Sequence, residues 1–188
     1  MNMKKNILII SALAFLFAIA FTSCNDDVVA GGTAVEKISG EWVTYSPDFD
    51  MSFHLKTSST SDNESDKIIV TDITTAGTSA GFWGFTVKSD CDLSALTFSC
   101  TNVTNQYWTE KNGVYTPYDI KISIRNGKIT EKAIELPSGV KADKIELEIW
   151  FEDIADAGAP ADYYCTLVGY RYSGFLEDED FVYTGDEE

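Results

Sequence analysis

Residues 120–129 read Ile-Lys-Ile-Ser-Ile-Arg-Asn-Gly-Lys-Ile, and residues 145–152 read Ile-Glu-Leu-Glu-Ile-Trp-Phe-Glu. From Ile120 to Ile124, and from Ile145 to Phe151, an apolar side chain recurs at every second position, with mostly charged or hydroxyl side chains between. Successive side chains of extended backbone point to opposite faces, so a period of two predicts strands with one buried and one wet face. Between Ile124 and Ile129, Asn126-Gly127 offers the positive φ values of a type I′ turn and predicts a tight hairpin. A second Asn-Gly, at Asn112 and Gly113, predicts another.

Outward from these stretches the same signal repeats. Strands are expected near residues 38–46, 52–57, 67–73, 82–88, 95–101 and 163–173. No convincing amphipathic helix follows the N-terminal segment. Regularly spaced short strands predict an all-β chain, either an antiparallel barrel or a sandwich. About 150 residues from Lys37 onward suffice for one domain with a sizeable core and are too few for two.

The N-terminus has a different character. Lys4 and Lys5 precede the apolar run Asn6 to Phe21, which has the length of a secretory signal and falls short of the ~20 residues that span a bilayer. Phe21-Thr22-Ser23-Cys24 resembles a lipobox, so residues 1–23 are read as a cleaved signal peptide and Cys24 as the lipidated first residue of the mature chain. Asn25, Asp26 and Asp27 resemble the acidic signal that carries Bacteroides lipoproteins to the outer face of the outer membrane. Residues 28–35, rich in small side chains, read as a linker that ends by residue 36. The expected location is the outer membrane, with the lipid as the membrane partner.

The chain has 30 acidic against 14 Lys and Arg residues, a net charge of −16. Cleavage after Ser23 removes Lys4 and Lys5 and no acid, which leaves −18. Such a surface repels nucleic acid, lipopolysaccharide and anionic head groups, whose binding needs cationic side chains. Of the remaining thiols, Cys91 and Cys100 can pair or stay buried, and Cys165 makes the number odd.

Three further stretches carry a family resemblance: Gly40-Glu41-Trp42-Val43, Trp83-Gly84-Phe85-Thr86-Val87-Lys88, and Gly169-Tyr170-Arg171-Tyr172-Ser173-Gly174-Phe175-Leu176-Glu177-Asp178-Glu179. With Arg125-Asn126-Gly127-Lys128 and Ala142-Asp143-Lys144-Ile145, the chain after residue 36 resembles the Bacteroides "lipid-binding putative hydrolase" lipoproteins. Where the chain has Tyr172 the resembling proteins usually carry a basic residue, and its segment from Thr74 to Ala80 is shorter than theirs. The resemblance implies a lipocalin-like β-barrel of about eight strands and a lipid-like or small apolar ligand. Gly40-Glu41-Trp42 resembles the lipocalin Gly-x-Trp. Trp42 and Arg171 would then pack together at the barrel end, with the guanidinium over the indole. Trp83, Phe85, Trp150, Tyr164 and Tyr170, from a larger set of aromatics, are the expected ligand-binding residues.

No catalytic residue is assigned. Gly77-Thr78-Ser79-Ala80-Gly81 matches the Gly-x-Ser-x-Gly pattern, but that nucleophile needs a strand-to-helix turn, and Phe82 to Lys88 read as a strand. His54 lies on the polar face of an alternating stretch. The acids Asp48 and Asp50, and the run Glu177 to Asp180, lack the two-sided placement of a glycosidase pair and the spacing of an EF-hand. Without a Cys-x-x-Cys, a His pair or a phosphate-binding glycine loop, no cofactor or metal is expected. The alternative function is an accessory surface lipoprotein that contacts another protein or a glycan through its loops.

Overall fold

The computed structural model describes residues 32–73 and 81–185. Ten strands occur among them: β1 (Gly40–Ser46), β2 (Met51–Ser58), β3 (Lys67–Ile73), β4 (Thr86–Asp92), β5 (Thr97–Thr104), β6 (Trp108–Lys111), β7 (Val114–Pro117), β8 (Lys121–Glu135), β9 (Lys141–Phe151) and β10 (Cys165–Arg171). Eight close into an antiparallel barrel, each beside its neighbour in chain order, and β10 returns to pair with β1. The β6–β7 hairpin stands apart as a two-stranded sheet inserted between β5 and β8.

Alternation decides what fills the barrel. Ile145, Leu147, Ile149 and Phe151 of β9 are buried, as are Ile122, Ile124 and Ile129 of β8, and they join inward side chains of the other six barrel strands in one core. Burying each such side chain contributes about 1.5–3 kcal/mol. Closure leaves room for little else along the axis, because an eight-stranded barrel is only wide enough for its own side chains or one small ligand.

One end, here called the lower, holds the start of β1. A 3-10 turn at Glu36–Ile38 precedes it, and Val35 and Ile38 are fully buried. Trp42 and Arg171 are cross-strand partners there, with the guanidinium 4.4 Å from the centre of the indole. The indole Nε1 donates to Thr57 Oγ1 at 2.8 Å, which in turn donates to the Ile38 carbonyl at 2.6 Å. Arg171 donates to the carbonyls of Ser39 and Lys37 and to Asp143. A Cβ on Gly40 would lie 2.1 Å from the guanidinium, so any larger residue there forces the Arg171 side chain to shift.

The two Asn-Gly pairs behave differently. Asn112 and Gly113 both have positive φ (55° and 77°) and join Lys111 to its partner Val114, the expected hairpin. Asn126-Gly127 forms no hairpin. Asn126 alone is left-handed (φ 55°), and β8 continues through it, with Arg125 paired to Glu148 and Lys128 to Glu146. Two residues thus face the single Leu147, a β-bulge. The isoleucines on both sides pack into the same core against the same strand, so one left-handed residue kinks the strand without reversing it. Gly127 is needed because a Cβ would approach the Phe98 carbonyl to 2.4 Å.

Cys91, Cys100 and Cys165 are all free thiols, half-buried in the first case and buried in the others. Burial pushes Cys165 up to about 12, which keeps it a thiol and a poor nucleophile.

The C-terminal segment crosses the outside of the lower wall. Tyr170 points outward from β10 into a small second cluster with Ile134, Leu136, Ala142 and Phe181. Asp178, 2% exposed, fastens this segment: its carboxylate accepts from the Ser138 amide and hydroxyl and from the Ser173 hydroxyl. Burial works to raise Asp178, but the Ser173 and Ser138 donors outweigh it and hold the group below its ordinary value. A depressed folded-state value stabilises above the unfolded value and loses that contribution as pH falls through the folded one. The segment is therefore expected to loosen below about pH 4, read as faster amide exchange at residues 172–183 while β3 and β9 stay protected. Equal loss of protection across the barrel would refute a local latch.

Candidate functional site

The upper end of the barrel is lined by aromatics brought from four places in the chain. Phe53 comes from β2, Phe49 from the turn before it, Phe82, Trp83 and Phe85 from the segment entering β4, and Phe151 from the end of β9. Phe53 stacks on Phe82 with ring centres 4.4 Å apart, and Trp83 stacks on Phe151 at 4.6 Å. Phe49 tilts against Phe82 and Trp83 at 5.7 and 5.9 Å. Phe49, Met51 and Trp83 remain half-buried, so their outer faces reach solvent.

Acidic residues fix this mouth. Asp72, on the inward register of Ile68 and Val70, is 5% exposed, and its Oδ2 accepts from the amides of Trp83 (2.8 Å) and Gly84 (2.7 Å). Gly81 lies so close that a Cβ would come within 2.7 Å of that carboxylate. Asp153 accepts from the Trp83 indole at 3.0 Å and from the Tyr118 hydroxyl. Burial, then the neighbouring Asp153, raises Tyr118 to about 12, so its hydroxyl keeps the proton it donates. Asp48 accepts from Tyr163 Oη and the Thr166 amide and ties the β1–β2 turn to β10.

Two buried polar atoms on inward faces near this end have no hydrogen-bond partner among the described residues: Ser46 Oγ on β1 and Asp72 Oδ1 on β3. An unsatisfied buried group costs about 1–3 kcal/mol, so such atoms mark places where water or a ligand's polar group is accommodated.

The five expected ligand-binding residues do not converge. Trp83 and Phe85 belong to the mouth, where both contact Phe151. Trp150 and Tyr164 lie together on the outer wall, lining one shallow groove. Tyr170 is on the outside at the lower end, under the C-terminal segment. The reason is the strand period: Ile149 and Phe151 take the inward positions of β9, and Leu167 and Gly169 those of β10, which sends Trp150 and Tyr170 outward. Phe151, Asp72, Asp153 and Tyr118 were not anticipated. Phe151 was readable as the last inward residue of its alternation, and Asp72 as the one acid on an apolar period; Asp153 and Tyr118 meet across 35 residues and leave no local signal.

His54 is on the outward face of β2, bonded to Glu41 at 2.9 Å and close to the Tyr172 ring. Among the described residues no cluster of three or more His, Cys, Asp or Glu is arranged to hold a metal. Ser79 and Cys24 fall outside the described residues.

A closed antiparallel barrel, plugged by a 3-10 turn and a Trp–Arg pair at one end and rimmed by aromatics at the other, is the architecture of small-ligand-binding barrels. Within that class the chain belongs to the family described as "lipid-binding putative hydrolase", whose model matches residues 27–176. No curated protein matches the chain.

Proposed function

We propose that this protein is a membrane-tethered barrel that binds a lipid-like or other small apolar ligand at its upper mouth. The observation that carries the reading is the rim of Phe49, Met51 and Trp83, apolar and half-open to solvent, above buried polar atoms without partners. Membership in a lipid-binding family supports it. The barrel axis is filled, so the ligand seats at the rim and displaces stacked rings such as Phe82 instead of entering a preformed tunnel. Asp72 and the net negative charge favour a neutral, hydrogen-donating polar end over an anionic one. No catalytic step is part of the proposal.

Native mass spectrometry of the full chain isolated from its own host, followed by extraction, tests this directly. The expected result is a stoichiometric apolar compound that Trp83→Ala displaces; an empty protein mass refutes it. In that case a second reading gains, one supported by the β6–β7 hairpin, whose Trp108, Val114 and Tyr115 are 55%, 63% and 68% exposed. Apolar groups so displayed mark contact surfaces for another protein.

The tether is proposed to be a lipid on Cys24, with the outer membrane as its location. Cys24→Ala is expected to move the protein from the membrane to the soluble fraction with its circular dichroism unchanged. Retention in the membrane fraction would count against the anchor.

A further inference from the structure

The outer wall carries a second site, remote in character from the mouth. Trp150 and Tyr164 flank a groove of about 270 Å³ whose wall is Ser123, Thr101 and Asn102 and whose far side is Asp162. A bulge builds it: Cys100 pairs with Ile124 and Val103 with Ile122, so Thr101 and Asn102 together face Ser123. Asn102 is left-handed (φ 51°), and its amide donates to Ser123 Oγ at 2.9 Å. Bulges recur beside binding sites because they re-aim side chains that a regular ladder would bury or misdirect. Here the bulge leaves the Asn102 side chain exposed at the groove.

Both aromatics are held in place before any ligand arrives. The Trp150 indole donates to the Ala161 carbonyl at 2.7 Å, and Arg125, itself bonded to Glu148, lies 3.9 Å from the centre of the Tyr164 ring. Thr101, Asn102 and Asp162 are exposed, and their hydroxyl, amide and carboxylate groups line the groove. Fixed aromatic surface beside exposed donors and acceptors suits a ring with apolar C–H faces and hydroxyls around its edge. A purely apolar ligand would leave those polar groups unpaired. A quaternary ammonium would share Tyr164 with the Arg125 cation already on it, and an anion would meet Asp162. The volume lies just below the usual range for drug-sized ligands and fits one six-membered ring.

We propose that this groove binds a neutral pyranose sugar. The test uses the full chain in a detergent without a sugar head group, titrated with glucose, galactose, mannose, N-acetylglucosamine, cellobiose, lactose and glucuronic acid. Tryptophan fluorescence and saturation-transfer NMR are the readouts. At least one neutral sugar is expected to bind, with affinity reduced about tenfold by Trp150→Ala and measurably by Asp162→Ala. Asn102→Gly removes the amide while keeping the left-handed backbone unstrained, so it tests the groove even where Trp150→Ala perturbs folding. Trp83→Ala, at the mouth, is expected to leave sugar binding unchanged, which separates this site from the lipid-like one. No binding at roughly 50 mM sugar, equal binding of glucuronic acid, or binding indifferent to Asn102→Gly would overturn the proposal.

Discussion

Replacing Trp42 with alanine is expected to lower the unfolding free energy by about 3–5 kcal/mol, more than any other single truncation in the barrel. Trp42 has no exposed surface and heads the fully buried side chains in size. Its removal opens a cavity in a part of the core that Val35 and Ile38 cannot collapse to fill, because the 3-10 turn holding them is bonded to Thr57 and Arg171. It also leaves Thr57 without its indole donor and the Arg171 guanidinium without the ring beneath it. Equilibrium unfolding in guanidinium chloride measures the loss; a change under about 1 kcal/mol would mean that the indole is not the plug.

Gly169→Ala is expected to destabilise the barrel by about 3 kcal/mol or more, since overpacking against backbone has no rotamer escape. A Cβ at Gly169 would lie 2.2 Å from the Val43 carbonyl oxygen and 2.8 Å from the Thr44 Cα. Both belong to β1, so the methyl pries apart the β1–β10 seam through which the barrel closes. For a domain of this size the expected fall in Tm is about 6–12 °C. Gly139→Ala is the control: its Cβ would meet nothing within 4 Å, and only its positive φ (82°) opposes the change, at about 1–2 kcal/mol. Similar melting of the two variants would show that the seam is not the constraint.

The strand period on β8 and β9 made much of the architecture legible. Inward Ile122, Ile124, Ile145, Leu147 and Ile149 are where the alternation put them, and β3 spans the expected residues 67–73. The same period carried information that a list of aromatics discarded: Trp150 alternates with Ile149 and Phe151 and belongs to the outer face. Asn126-Gly127 misled for a different reason. Two residues with turn chemistry specify positive φ, but whether the chain reverses depends on what the flanking residues bury, and Ile124 and Ile129 bury into one core against β9. Phe82 to Phe85 read as strand and instead form the rim, with β4 starting at Thr86, because Asp72 captures the amides of Trp83 and Gly84 away from a ladder. A contact such as Asp48 with Tyr163, 115 residues apart, is a product of closure and has no signature in either neighbourhood.

Circular pairing has one more consequence. Within the barrel each of the eight strands is paired on both sides over at least part of its length, which limits the backbone open to a foreign strand. The β6–β7 ribbon, by contrast, has two strands and therefore two unpartnered margins, one along Trp108–Lys111 and one along Val114–Pro117. Among the described residues, this ribbon is the sheet that has both margins unpaired along their whole length, so intermolecular β-augmentation, whether by a partner's extended peptide or by the same ribbon of another molecule, is expected there first.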